Sequence, residues 1–156
     1  MKKILMLLFV AASIVVSSCS KNDYVVYENI PATLYISNSG VIAAADLAAT
    51  YDINIAKGGN AEYTVTATLE KATQVIVNYN IQNNANYAPL PAECYSLSVE
   101  SFSLAASEGG SSIAVTFDAM AIDALPAGDY ALALVVESDN AYINKDKDYV
   151  MFCIER

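Results

Sequence analysis

Eleven tyrosines and four phenylalanines, with neither histidine nor tryptophan, set the chemistry open to this chain of 156 residues. Without histidine there is no Ser-His-Asp hydrolysis, no Cys-His nucleophile and no histidine-ligated zinc or haem. Carboxylates are the remaining catalytic material, and a glycosidase needs two of them facing each other about 5–10 Å apart across a cleft. Glu62, Glu70, Glu93, Glu100, Asp129 and Glu137 instead fall singly between alternating positions and read as solvated strand faces and turn caps. Neither an enzyme nor a bound cofactor is expected. Binding by tyrosine is the other possibility: sugars stack their C–H faces on aromatic rings while Asn, Asp and Lys meet the hydroxyls. Tyr35, Tyr51, Tyr63 and Tyr130 alternate with strand neighbours and read as core or half-buried. Tyr79, Tyr87 and Tyr142, in or beside Asn-rich loops, remain as candidates for a surface platform, with Asn140 and Asn144 as polar partners. The segment Asp139 to Asp148 is the densest cluster of oxygen ligands. It lacks the glycine of an EF-hand and carries Lys145 and Lys147, so it reads as a polar loop and not as a metal site.

Charge narrows the partners further. Seventeen acidic against eight basic residues give a formal charge of -9, which excludes the clustered cations that nucleic acid requires. The N-terminus reads as a targeting segment over residues 1–18: Lys2 and Lys3, then an apolar run from Ile4 to Val16 that is too short to span a bilayer core of about 30 Å. It ends in Val16-Ser17-Ser18-Cys19, which resembles a bacterial lipobox. The implied product is cut before Cys19, with lipid on the cysteine and residues 19–31 as a tether. Loss of Lys2 and Lys3 leaves the mature chain more acidic still. The two remaining cysteines, Cys94 and Cys153, could form a disulfide in an oxidising compartment. Cys153 lies in an apolar strand-like segment and equally suits the role of a small buried hydrophobe.

The elements that must position these residues are short strands. Thr33 to Ser37 alternates polar and apolar and ends at Asn38-Ser39-Gly40. Tyr51 to Ile55 puts Tyr51, Ile53 and Ile55 on one face, Lys57-Gly58-Gly59-Asn60 turns, and Tyr63 to Leu69 alternates again, so the pair reads as a β-hairpin. From Glu70 to Tyr79 strand propensity competes with a helical stripe of Ala72, Val75, Ile76 and Tyr79, with Glu70 near the helix start. Tyr95 to Val99 and Ser101 to Leu104 are strands separated by at most a kink. Ser112 to Phe117 is another, followed by a short helix capped by Asp118. Tyr130 to Val136 is almost continuously apolar, as in a central strand covered on both faces. Tyr149 to Ile154 closes the series. Residues 32–156 thus read as one all-β domain, an antiparallel β-sandwich of about eight strands with one or two short helices.

A family resemblance covers nearly all of this domain. Its blocks are Leu34 to Gly40, Asn78-Tyr79-Asn80 through Asn86-Tyr87, Leu90 to Leu97, Phe117-Asp118, Gly128 to Leu132 and the turn at Ile143-Asn144. In that order they resemble the lipoprotein domain of unknown function 1735, common in Bacteroidetes. The resemblance implies an Ig-like fold that usually stands N-terminal to a glycan-binding or glycoside-hydrolase-like module, and a helix just before the Asn-Tyr-Asn block. The chain ends at Arg156, directly after the last strand, so no such module is expected to follow. Ser20-Lys21-Asn22-Asp23 resembles the short signal that sends Bacteroidetes lipoproteins to the cell surface, although only one acidic residue stands where two are usual. The expectation is therefore a lipid-anchored, non-enzymatic outer-membrane lipoprotein, facing the cell surface in preference to the periplasm. It would serve as an accessory polysaccharide-binding or surface-interaction module. The alternative is a structural adaptor whose sheet edge docks another envelope protein.

Overall fold

Period-two alternation sorts the apolar residues onto the inner faces of two stacked sheets. The computed structural model describes residues 30–59 and 61–156; the signal segment, Cys19 and most of the expected tether lie outside the described residues. The first sheet contains β1 (Thr33–Ile36), β3 (Thr50–Gly58), β6 (Tyr95–Leu97), β8 (Gly110–Phe117) and β10 (Tyr142–Ile143), in the order β10-β1-β3-β8-β6. The second contains β2 (Gly40–Ala43), β4 (Val65–Lys71), β7 (Ser101–Leu104), β9 (Tyr130–Glu137) and β11 (Tyr149–Ile154), in the order β2-β11-β9-β4-β7. β5 (Ala88–Pro89) pairs beside the start of β9. This is an Ig-like sandwich, with eleven strands among the described residues. The strands beyond the expected eight or so are β2, β5 and β10, two to four residues long, too short to show a period. All three pair in parallel, β2 with β11, β5 with β9 and β10 with β1, in an otherwise antiparallel fold.

Between the sheets, Tyr130, Leu132, Leu134 and Val136 of β9 meet Ile53, Ile113, Val115 and Phe152. Tyr51, Phe117 and Phe152 form an edge-to-face knot with ring centroids 5.6 to 5.8 Å apart, an arrangement that satisfies the aromatic quadrupole. The opposite face of β9 and β11 is also covered: Ala131, Ala133, Met151 and Cys153 lie beneath the helix α1 (Thr73–Asn83) through Ile76. That double cover explains the unbroken apolar run of β9.

The ambiguous segment is therefore helical. Ala72, Val75, Ile76 and Tyr79 all face the sheet, so packing outweighs the reluctance of the Val75-Ile76-Val77 run. Glu70 is not at the helix start but belongs to β4. Asn84 ends the helix in the left-handed conformation, its N–H donating to the Asn80 carbonyl. Asp118 caps the second helix, α2 (Ala119–Asp123), by accepting from the Ala121 N–H at 3.0 Å. The Tyr130 hydroxyl donates to the Pro126 carbonyl at 2.9 Å, the tie expected at the corner of an Ig-like sandwich. Among the described residues, no helix is long and apolar enough to cross a membrane.

Two expectations about strand pairing are corrected. β3 and β4 do not form a hairpin: β3 pairs with β1 and β8, whereas β4 pairs with β7 and β9 in the other sheet. Gly59 makes that crossing with φ +88°, and a Cβ there would lie 2.5 Å from the Pro31 carbonyl oxygen. The kink between β6 and β7 likewise carries the chain from one sheet to the other. Of the two readings open for Cys94 and Cys153, the structure has them as free buried thiols. Cys94 belongs to the core between the sheets, while Cys153 alternates with Phe152 and points the other way, under α1.

Candidate functional site

β10 is two residues long and holds its place through β1. The Tyr142 N–H donates to the Ala32 carbonyl and the Asn144 N–H to the Leu34 carbonyl, both at 2.9 Å. The loop before it is latched to the entry of β4 by Asn140. Its Oδ1 accepts from the Thr66 N–H at 3.0 Å and its Nδ2 donates to the Thr64 carbonyl at 2.9 Å. The Ser138 hydroxyl adds a bond to the Thr66 carbonyl at 2.7 Å. These ties bring Tyr142 beside Tyr63 across an open cleft of about 370 Å³ lined by Pro31, Tyr63, Asp139, Asn140, Ala141 and Tyr142. Both rings are exposed, Tyr142 by 67% and Tyr63 by 42%. Two exposed rings and the Asp139 carboxylate on one cleft can hold a flat, hydroxylated ligand.

The residues singled out from sequence divide between places and roles. Tyr142 forms one wall of the cleft, and Asn140 lines it while its side-chain amide serves the latch. Asn144 accepts from the Asp146 N–H at 3.1 Å and shapes the turn after β10. Tyr79 and Tyr87 come together elsewhere, over the outer face of the second sheet, with ring centroids 6.0 Å apart. Both pack on the cluster beneath α1. The Asn80 side chain clasps the Tyr87 backbone at 2.9 and 3.0 Å, and the Tyr87 hydroxyl donates to Glu155 at 3.1 Å. Burial, reinforced by negative charge at Cys153 and Glu155, pushes the Tyr87 phenol well above its ordinary range. Burial also raises the thiols of Cys94 and Cys153. Tyr79 and Tyr87 are thus a packed pair and not an open platform.

Tyr63 was missed because it shares parity with Val65, Ala67 and Leu69 and so reads as inward-facing. The strand begins only at Val65, leaving Tyr63 in the bend before it.

A second depression, of about 400 Å³, lies on the outer face of the second sheet, where Thr66, Thr68, Ser101, Ser103, Glu70 and Glu137 are among its lining. It brings together carboxylates that look scattered in sequence. Thr68 stands opposite Glu137 in the β4–β9 register, so Glu70 and Glu137 are diagonal neighbours projecting from the same face. Both therefore line the same depression from one sheet surface. Lys145 lies 3.8 Å from Glu137 and 3.4 Å from Asp148, so the Asp139–Asp148 loop carries its own cation. A third depression ends at Arg156, whose guanidinium donates to the carbonyls of Ile122, Leu125 and Asp123 at 2.7 to 3.2 Å and caps α2.

Fold and cleft together define an Ig-like module with a tyrosine-walled surface site. A family model for an N-terminal domain matches residues 19–143, and the chain belongs to that family of N-terminal domains. No curated protein matches the sequence. Among solved structures, a Bacteroides ovatus protein proposed to bind carbohydrate is similar, with a TM-score of 0.65 at 20% identity, covering 80% of this chain and 37% of that one. A two-domain Bacteroides fragilis protein of unknown function gives 0.63 at 11% identity, over 80% and 45% of the two chains. Bacteroides thetaiotamicron EndoBT-3987, solved with a Man5GlcNAc product, gives 0.57 at 15% identity, over 78% and 30%. This chain therefore spans less than half the length of each. At these identities the likeness is one of fold.

Proposed function

We propose that the protein is a non-enzymatic glycan-binding module, lipidated at Cys19 and displayed on the outer membrane, with its ligand held between Tyr63 and Tyr142. The observation that carries this reading is the pair of exposed tyrosine rings on one cleft, with Asn140 and Asp139 beside them. Ring faces take the C–H side of a sugar, and the carboxylate accepts from its hydroxyls. Membership of a family of N-terminal domains supports an accessory role, as does the same fold in a protein proposed to bind carbohydrate and in one solved with a glycan product. The block order resembling the lipoprotein domain of unknown function 1735 points the same way.

Titration of the detergent-solubilised full chain against a glycan panel tests the reading. At least one glycan should bind, and Tyr142→Ala or Tyr63→Ala should weaken it by about ten-fold, roughly the worth of one stacked ring. A panel without a binder, or a binder indifferent to both substitutions, refutes it. Cys19→Ala should move the protein from the membrane to the soluble fraction; continued membrane association would remove the lipid anchor from the proposal.

A further inference from the structure

The Tyr63–Tyr142 cleft and the hydroxyl-lined depression share Asp139, and they adjoin along the chain: Tyr63 lines the first and Thr66 the second, Asn140 the first and Ser138 the second. On the outer face of β4 and β7, Thr66 stands opposite Ser103 and Thr68 opposite Ser101. With Ser138, whose proton is given to the Thr66 carbonyl, these make a short field of hydroxyl oxygens able to accept from a ligand. Glu70, Glu137 and Asp139 add acceptors for sugar hydroxyls, and no Lys or Arg is among the lining residues of either depression. The nearest cation described, Lys145, is already shared between Glu137 and Asp148. Each depression falls within the size range of small-ligand sites, about 300–1,000 Å³.

We infer that the two depressions form one tract, and that its ligand is a neutral polysaccharide chain running from the two tyrosines across the hydroxyl-lined face. This rests on the glycan reading above and adds to it ligand length and charge. A single sugar fills only the tyrosine end. A longer chain reaches the hydroxyl field as well, and each further contact is made without a second loss of translational freedom. Uronate or sulfate groups on such a chain would meet three carboxylates, with the one cation described beside them, Lys145 at Glu137, already shared with Asp148. A neutral chain meets none of that repulsion.

The test titrates the full chain with α-mannan and β-glucan, with their oligosaccharides of increasing length, and with polygalacturonate and chondroitin sulfate. Neutral polymers should bind at least about ten-fold tighter than their shortest binding fragments, and the anionic polymers should bind more weakly than the neutral ones. Thr68→Arg and, independently, Ser101→Arg place a bulky cation on an outward position of the sheet. Each should remove the length-dependent gain for neutral chains while leaving short-fragment binding unchanged. Matched far-UV circular dichroism and melting temperature show that each variant is folded. Equal affinity for short and long chains, or insensitivity of long-chain binding to both arginine variants, overturns the extended tract while leaving the tyrosine cleft standing. Tighter binding of the anionic polymers overturns the assignment of charge. Absence of any glycan binding overturns the glycan reading itself and this inference with it.

Discussion

Asn140→Ala tests how the cleft is built. The side chain makes two bonds to the entry of β4, accepting from Thr66 N–H at 3.0 Å and donating to Thr64 C=O at 2.9 Å. Each intramolecular hydrogen bond contributes about 0.5–1.5 kcal/mol net. Asn140 is exposed, so water replaces part of the loss and the lower half of the range applies. The expected cost is about 1–2 kcal/mol, which for a domain of this size lowers the melting temperature by roughly 4–8 °C. Ser138 still ties the loop to the Thr66 carbonyl at 2.7 Å, so Tyr142 should be loosened and not released. Glycan affinity should accordingly fall by about three- to ten-fold. Thermal denaturation gives the stability and amide hydrogen exchange at Thr66 gives the local effect, since that N–H loses its acceptor. A melting temperature within about 1 °C of the parent, with unchanged exchange at Thr66, would show that the latch does not hold the loop, and the account of the cleft would fail with it.

Further outcomes follow from the core and the titrating groups. Phe152→Ala removes the fully buried ring that meets both Tyr51 and Phe117; it should cost about 3–5 kcal/mol, read as a lower urea midpoint, and a loss under 1 kcal/mol would contradict the knot. Cys94 and Cys153 should resist thiol reagents in the native state and both react in denaturant; their reactions should not depend on prior treatment with reductant. The phenol of Tyr87 is raised above its ordinary 10.0, so its contribution to stability is present below about pH 10 and is lost as pH climbs further. Tyr87→Phe should flatten that part of the alkaline decline in urea unfolding, and an unchanged slope would place the phenol in water.

Strands were legible where alternation ran for five residues or more, as in β3 and β8, and where an unbroken apolar run marked a strand covered on both faces, as in β9. What alternation does not carry is the identity of the neighbour. Tyr51 to Ile55 and Tyr63 to Leu69 have the pattern of a hairpin, yet the crossing at Gly59 sends them to different sheets, because both faces of the stack demand the same period. β6 and β7 conceal the same switch within a three-residue gap. α1 hid behind β-branched residues whose cost is outweighed by the apolar surface of β9 and β11 beneath it. The exposure of Tyr142 was legible from its polar surroundings. Asn140 looked like a ligand contact because amides serve latches and ligands equally well, and only coordinates show which atoms are already engaged. Tyr79 and Tyr87 needed the fold to reveal that they pack beside each other.

Pro31 joins the mouth of the cleft to the chain's entry into the domain, and β10, carrying Tyr142, runs parallel to β1 immediately beyond it. A pull on the N-terminal side travels along β1 and soon meets the bonds at Ala32 and Leu34 that hold β10. On the glycan-binding proposal, a polymer held at Tyr142 would load those same bonds from the other side, in shear, so that its drag would fall on a two-residue splice at the rim before it reached the aromatic core.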